Sequence, residues 1–254
     1  MYRAPESALA YGFVNDSIGA HGSRTMMLSE LRLLLGACRV SSGQEDYRVA
    51  IVQDNVLLKT TESTRRESFR RLRELYALNP QMLLFRALRD LWDIDSQAQP
   101  LLALLCAVAR DPLLRATTEL VLSTPQGSTV TPQQISEAAR SNFPGRFNPT
   151  TLANIGRHAA SSWRQSGHLS GRLVKTRSRA GCRPAAVAYA LLMGYLCDDR
   201  GEALFETLWR RLLDAPAHVL HDQAFVASQQ GWIEYRHIGM VTEISFRHLL
   251  RMEG

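Results

Sequence analysis

The sequence predicts a mainly α protein with short β-hairpins, and three observations carry that expectation. Apolar residues recur at helical spacing through the first half, a break follows at Thr124-Pro125-Gln126-Gly127, and beyond it helices alternate with stretches rich in Gly, Ser and Arg. The break divides the chain into an N-terminal helical bundle, residues 1–126, and a C-terminal domain, residues 127–254. At 254 residues the chain is long enough for one large core or for two domains of about 100–150 residues each. With 45% hydrophobic and 21% charged residues it is composed as a globular protein, which excludes a disordered or collagen-like chain.

The elements follow in order. A helix is expected over residues 28–35, after the loop Gly19-Ala20-His21-Gly22-Ser23-Arg24. That loop has the composition of a phosphate cradle but lacks its Lys-Ser/Thr ending and a preceding strand, so it reads as a plain connection. Thr64-Arg65-Arg66-Glu67 has the form of a capping box, with Phe69, Leu72, Leu75 and Leu78 following at helical spacing. The cations between them, Arg65, Arg66, Arg70, Arg71 and Arg73, are interleaved with Glu62, Glu67 and Glu74, as on a solvated face. Residues 81–92 continue with Leu84, Leu88 and Leu91 on one side, and residues 100–110 are apolar almost all round, as a central buried helix is. Asp111-Pro112 restarts the chain as an N-cap with proline at the first helical position, and this helix is expected to run to Leu122.

After the break, Thr131-Pro132-Gln133-Gln134 opens a short helix to Ser141, and Asn142-Phe143-Pro144-Gly145-Arg146-Phe147 is a turn. Asn148-Pro149 opens a second helix that ends at Gly167, and residues 169–179 alternate loosely as a hairpin. Residues 184–197, 202–213 and 217–230 read as three further helices. Residues 232–246 alternate around Gly239 as a terminal hairpin.

Charge is distributed unevenly. The whole chain carries 30 basic and 24 acidic residues, a net charge of +6, and all but Lys59 and Lys175 of the cations are arginine. Arginine suits phosphate and ion-paired interfaces, although a compositional bias of the source genome produces the same excess. From residue 138 to residue 197 there is no acidic residue, while Arg140, Arg146, Arg157, Arg164, Arg172, Lys175, Arg177, Arg179 and Arg183 give +9. Elsewhere 21 basic residues meet 24 acidic ones, leaving −3.

On the helix opened by Asn148, the residues Leu152, Ile155, Ala159 and Trp163 form the expected buried stripe. Opposite them lie Asn154, Arg157, Ser161 and Gln165, flanked by His158 and Arg164, the residue types that reach base edges and phosphates. Short helix, turn, second helix and basic hairpin together match a winged helix-turn-helix over residues 131–180. Arg172, Lys175, Arg177 and Arg179 of the wing are expected to contact phosphate or a minor groove. A solvated helical pair with a basic loop that docks on an acidic protein fits the same pattern, because winged folds serve both uses.

Other chemistries find little support. His218 and His221 at i, i+3 have no local partners for a metal, and no nucleophile elbow or related motif is present, so no catalytic residue, metal or cofactor is expected. The four cysteines lack zinc spacing and suit a reducing compartment. No signal-peptide pattern is apparent, and the longest apolar run, residues 101–109, is too short to cross a bilayer; a cytoplasmic protein without a membrane role is expected.

Scattered positions carry a family likeness. They are Asp54-Asn55-Val56-Leu57 with Lys59 and Thr60, Ser63-Thr64-Arg65, Arg71-Leu72, Leu75-Tyr76, and the apolar run 101–107. Arg110-Asp111-Pro112-Leu113-Leu114, residues 150–162 and Ser166-Gly167-His168-Leu169 continue it. On these the chain resembles the BrxA family of bacterial BREX phage-defence systems over residues 45–175, and is longer than that family after residue 185. The resemblance implies a non-catalytic helical protein, similar in its helices to the antitermination factor NusB, that binds double-stranded DNA among other defence-system proteins. The likeness to NusB also raises RNA as a ligand. The resemblance supplies no site residues.

Overall fold

Local side-chain caps start several of the helices. The structure, a computed structural model, describes residues 2–16, 19–239 and 241–252. Helices α1 (Glu6–Leu9), α2 (Leu28–Ala37) and α3 (Gln44–Val52) come first, α3 capped by the Asp46 carboxylate on the Gly43 amide at 2.8 Å. Helix α4 (Glu62–Tyr76) begins earlier than its capping-box pattern suggests, because the Thr61 hydroxyl, not that of Thr64, is the cap and accepts from the Thr64 amide at 3.2 Å. Left-handed backbone at Ala77 and Leu78 (φ 64° and 51°) separates it from α5 (Leu83–Trp92). Helix α6 (Gln99–Arg110) is buried throughout residues 101–109, as its apolar run requires.

The Asp111 cap forms as expected, its Oδ1 accepting from the Leu113 and Leu114 amides at 2.9 and 3.2 Å. The helix it starts does not reach Leu122 unbroken. It stops as α7 (Pro112–Arg115), and α8 (Thr118–Ser123) follows. Between them the buried Thr117 hydroxyl donates to the Leu114 carbonyl at 2.7 Å and accepts from the Trp163 indole at 2.8 Å. A hydroxyl that bonds back to its own turn competes with the helical ladder.

Beyond the exposed turn at residues 125–127, α9 (Pro132–Asn142) opens on a reciprocal Thr131–Gln134 capping box. Helix α10 (Pro149–Gln165) opens on Asn148, whose side chain accepts from the Thr151 amide at 2.8 Å, and the chain leaves it through Gly167 at φ 89°. Strands β1 (Leu169–Ser170) and β2 (Thr176–Arg177) then pair antiparallel. The other edge of β2 is taken by residues 127–130. The Val130 amide donates to the Lys175 carbonyl and the Arg177 amide to the Ser128 carbonyl, each at 2.8 Å.

Helix α11 (Pro184–Leu196) is buried at every position except Pro184 and Tyr195. The single helix expected over residues 202–213 is instead a 3-10 segment, Gly201–Glu206, and the short α12 (Leu208–Arg211). Extended backbone at Thr207 divides them, and the Thr207 hydroxyl caps α12 by accepting from the Arg210 amide at 3.2 Å. Helix α13 (Ala217–Gln229), the antiparallel pair β3 (Glu234–Ile238) and β4 (Val241–Ser245), and α14 (Arg247–Leu250) complete the chain.

The molecule is mainly α, with two small two-stranded sheets. One continuous apolar core draws residues from both sides of the 125–127 turn: α11 packs on α5, α6, α12 and α13, and the Tyr189 hydroxyl donates to the Leu84 carbonyl at 2.8 Å. A smaller cluster of Leu113, Ala139 and Ile155, with Phe143, Phe147 and Leu152, underlies the α9–α10 turn. The four cysteines are free thiols. Among the described residues no helix is long and apolar enough to cross a membrane.

Candidate nucleic-acid interface

Helix α10 is held on two sides, and its third side defines the candidate interface. Toward the core, Ile155, Ala159 and Trp163 are fully buried, as the sequence stripe requires, while Leu152 is half-buried. Against α9 the helices approach so closely that a Cβ on Gly156 would lie 2.2 Å from the Pro132 carbonyl oxygen.

The second side meets the N-terminal segment, through a buried triad whose parts are far apart in sequence. His21 Nδ1 lies 2.7 Å from Asp111 Oδ2, and His21 Nε2 lies 2.7 Å from Ser162 Oγ. Ser162 Oγ also donates to the His158 carbonyl at 3.0 Å and accepts from the Met26 amide at 2.8 Å. Burial acts to raise the Asp111 carboxyl, but the charge and hydrogen bonds of His21 outweigh it and hold the group below the ordinary carboxylate range. Gly19 crosses directly over Asp111, where any Cβ would collide with the carboxylate. The connectivity is that of a serine hydrolase, yet all three side chains are sealed from solvent and Ser162 Oγ is already hydrogen-bonded on every side. The triad clamps residues 19–26 onto α10.

Three of the helix residues expected to reach nucleic acid belong wholly or partly to this clamped flank. His158 is half-buried with Nδ1 3.1 Å from the His21 carbonyl oxygen, and burial lowers its pKa. Gln165 accepts from the Leu28 amide at 3.1 Å, and its amide reaches Ser161 Oγ at 3.4 Å. The outward stripe holds the rest: Arg157 and Arg164 are exposed, and Asn154 is half-buried and accepts from the Arg157 guanidinium.

The hairpin residues divide in the same way. Arg172 and Arg179 are exposed, and Lys175 is half-buried with its ammonium 3.4 Å from the Arg172 carbonyl. Arg177 is a correction to the wing reading: it is 4% exposed, grips Asp214 through two 2.8 Å contacts and donates to the Val121 carbonyl at 2.8 Å. Its guanidinium fastens the hairpin base to the core and is buried away from any phosphate. Nothing local marked this, since Asp214 lies 37 residues away.

Of the nine cations in the acid-free stretch, Arg140 pairs with Glu137 at 2.7 Å, Arg177 with Asp214 and Arg183 with Asp95 at 2.7 Å. Arg146, Arg157, Arg164, Arg172, Lys175 and Arg179 have no carboxylate partner among the described residues. Arg146, absent from the expected set although it lies in the basic stretch, stacks over Phe143 and Phe147 at 5.6 and 5.8 Å in the turn before α10. These six sit on the α9–α10 turn, the outward stripe of α10 and the hairpin. Such an arrangement presents fixed positive charge, five of the six as planar forks, to a polyanion.

Among the described residues no group of three or more His, Cys, Asp or Glu side chains is arranged to hold a metal ion. No protein-family model matches the chain, and no curated protein matches it by sequence.

Proposed function

We propose that the chain is a non-catalytic double-stranded DNA-binding accessory protein, in which α9, α10 and the β1–β2 hairpin work as a winged helix-turn-helix. The observation that carries the reading is the set of six cations without carboxylate partners on the turn, the outward stripe and the hairpin. The order of elements supports the winged assignment: α8, an extended stretch at residues 127–130, α9, α10 and a hairpin whose second strand lies beside that stretch. In this arrangement Asn154 faces the groove, Arg157 and Arg164 reach the phosphates along it, and Arg146, Arg172, Lys175 and Arg179 neutralise further phosphates. In this reading the sealed Ser162–His21–Asp111 triad is a clamp that holds α10 in place. The assignment to a bacterial BREX anti-phage system, with other defence proteins as partners, rests on the sequence resemblance to the BrxA family.

Fluorescence anisotropy with duplex DNA, duplex RNA and single strands tests the reading, using the native chain and an Arg157→Ala/Arg164→Ala variant. Duplex DNA is expected to bind more tightly than the other probes, and the variant to lose at least tenfold. Preference for RNA would move the assignment to an RNA-binding protein. Duplex binding that the variant leaves untouched would remove α10 from the interface. Absence of nucleic-acid binding, with capture of an acidic defence subunit through the same arginines, would replace the reading by protein docking.

A further inference from the structure

The β1–β2 hairpin ends in an apolar pair that the fold leaves in solvent. Leu173 is 93% exposed and Val174 64% exposed, and they lie between Arg172 and Lys175. Single exposed apolar side chains are ordinary, but two in succession at the end of a projection need a reason.

The projection is firmly built. Its base is anchored by buried Leu169 and by the Arg177–Asp214 pair, and the Lys175 carbonyl accepts from the Val130 amide. At Gly171 the backbone is left-handed (φ 82°), and a Cβ there would lie 2.1 Å from the Val174 carbonyl oxygen, so only glycine closes this turn. Leu173 and Val174 are therefore held out as a short wedge with a cation on each side.

The terminal hairpin supplies an internal contrast. It too has exposed apolar residues near its tip, Ile238 and Val241, at 79% and 63%. There, however, Arg236 faces Glu243 across the strands, and the neighbouring charge is balanced. An apolar tip flanked by cations alone matches the minor groove of a duplex. The cations meet the two phosphate ridges, and the apolar side chain enters between base pairs and partly unstacks them.

We propose that Leu173, supported by Val174, is such a wedge, inserted at a base step of the minor groove and kinking the duplex while α10 faces the adjacent major groove. The proposal rests on the duplex-binding reading above. Leucine at this position adds bending and a preference for deformable steps. The flanking cations add affinity that depends on salt.

The test uses the full chain and a duplex carrying 2-aminopurine beside a central TA step, with dyes at both ends for energy transfer. The native protein is expected to raise 2-aminopurine emission and shorten the end-to-end distance. Leu173→Ser should abolish both responses and weaken binding about fivefold, while leaving the salt dependence and the melting temperature unchanged. Ile238→Ser, the control at the other tip, should leave all of them as in the native protein. Tight duplex binding with no 2-aminopurine response, or a response that survives Leu173→Ser, would overturn the wedge and leave the duplex reading standing. Failure of the native chain to bind any duplex, together with Leu173-dependent sedimentation on vesicles of anionic phospholipid, would overturn both and assign the tip to a membrane surface.

Discussion

Helix α4 and the segment from α9 through the hairpin are both rich in arginine, yet they carry opposite kinds of surface. On α4, Glu62 holds Arg66 at 2.6 Å, and Glu67 and Glu74 share Arg70 and Arg71 at 2.8–3.2 Å, a ladder built at i, i+3 and i, i+4. Arg73 lies over the Phe69 ring at 5.7 Å. On the outward stripe of α10, Arg157 and Arg164 have no such neighbours, because the sequence places no acid between residues 138 and 197. Arginine content therefore says little about a partner, whereas the carboxylates within reach of each arginine say a good deal. Arg177 shows the same rule from the other direction, since one carboxylate in the fold, Asp214, turns a wing cation into a core strut.

The sharpest way to break that contrast is to exchange struts and free cations. Arg177→Met strands the nearly buried Asp214 carboxylate and is expected to cost about 3–5 kcal/mol of stability in urea unfolding. Arg172→Ala should stay within about 0.5 kcal/mol, because that side chain is exposed and unpaired. Equal effects at the two positions would mean that the hairpin base is not held as described.

Acid pH separates the buried end of α10 from its outward stripe. His168, with Nε2 3.0 Å from the Leu212 carbonyl oxygen and Nδ1 2.9 Å from Ser166 Oγ, is pushed down from 6.5 to about 4 by burial. Between those values the unfolded chain holds a proton that the folded chain refuses. The stabilisation is thus complete above about pH 6.5, is lost as pH falls toward 4, and amounts to about 3 kcal/mol. The lowered pKa of His158 acts in the same sense. Urea midpoints at pH 7, 5.5 and 4 should show this slope, and His168→Gln should flatten it.

A smaller loss is expected from Gly156→Ala. The added Cβ meets the Pro132 carbonyl oxygen at 2.2 Å and forces α9 from α10, costing about 1–3 kcal/mol in unfolding and loosening duplex binding with it. The smallest stability effect belongs to α4. Glu67→Gln removes one of the two carboxylate partners of both Arg70 and Arg71, at about 0.5 kcal/mol for each pair. Combined with Glu74→Gln, which removes the second shared carboxylate, it is diagnostic, since freeing both arginines should give α4 a weak, salt-sensitive affinity for duplexes that the native helix lacks.

How much of this could be read in advance depended on the range of the interaction. Asp111-Pro112, Thr131 with Gln134, and Asn148 cap their own next turn, so three helix starts were legible from a few residues each. Thr61 and Thr64 are both suitable caps, and their hydroxyls even touch at 2.9 Å, so local pattern alone placed the start of α4 three residues late. The break at Thr117 needs Trp163, and the clamp needs His21 to meet Asp111 and Ser162, 90 and 141 residues onward. For the same reason the acid-free stretch was plain from composition, while its division into struts, clamped flank and free cations was not.

The central claim is that the six unpartnered cations gathered on the α9–α10 turn, the outward stripe of α10 and the hairpin, rather than arginine in general, meet nucleic-acid phosphate. The most direct measurement is the slope of log affinity against log salt for one duplex. The native chain should give about −5, as six phosphate contacts require. Arg172→Ala/Lys175→Ala should flatten the slope by about 2, and Arg66→Gln/Arg70→Gln on α4 should leave it unchanged. A native slope near zero, or equal flattening by the two variants, would contradict the account.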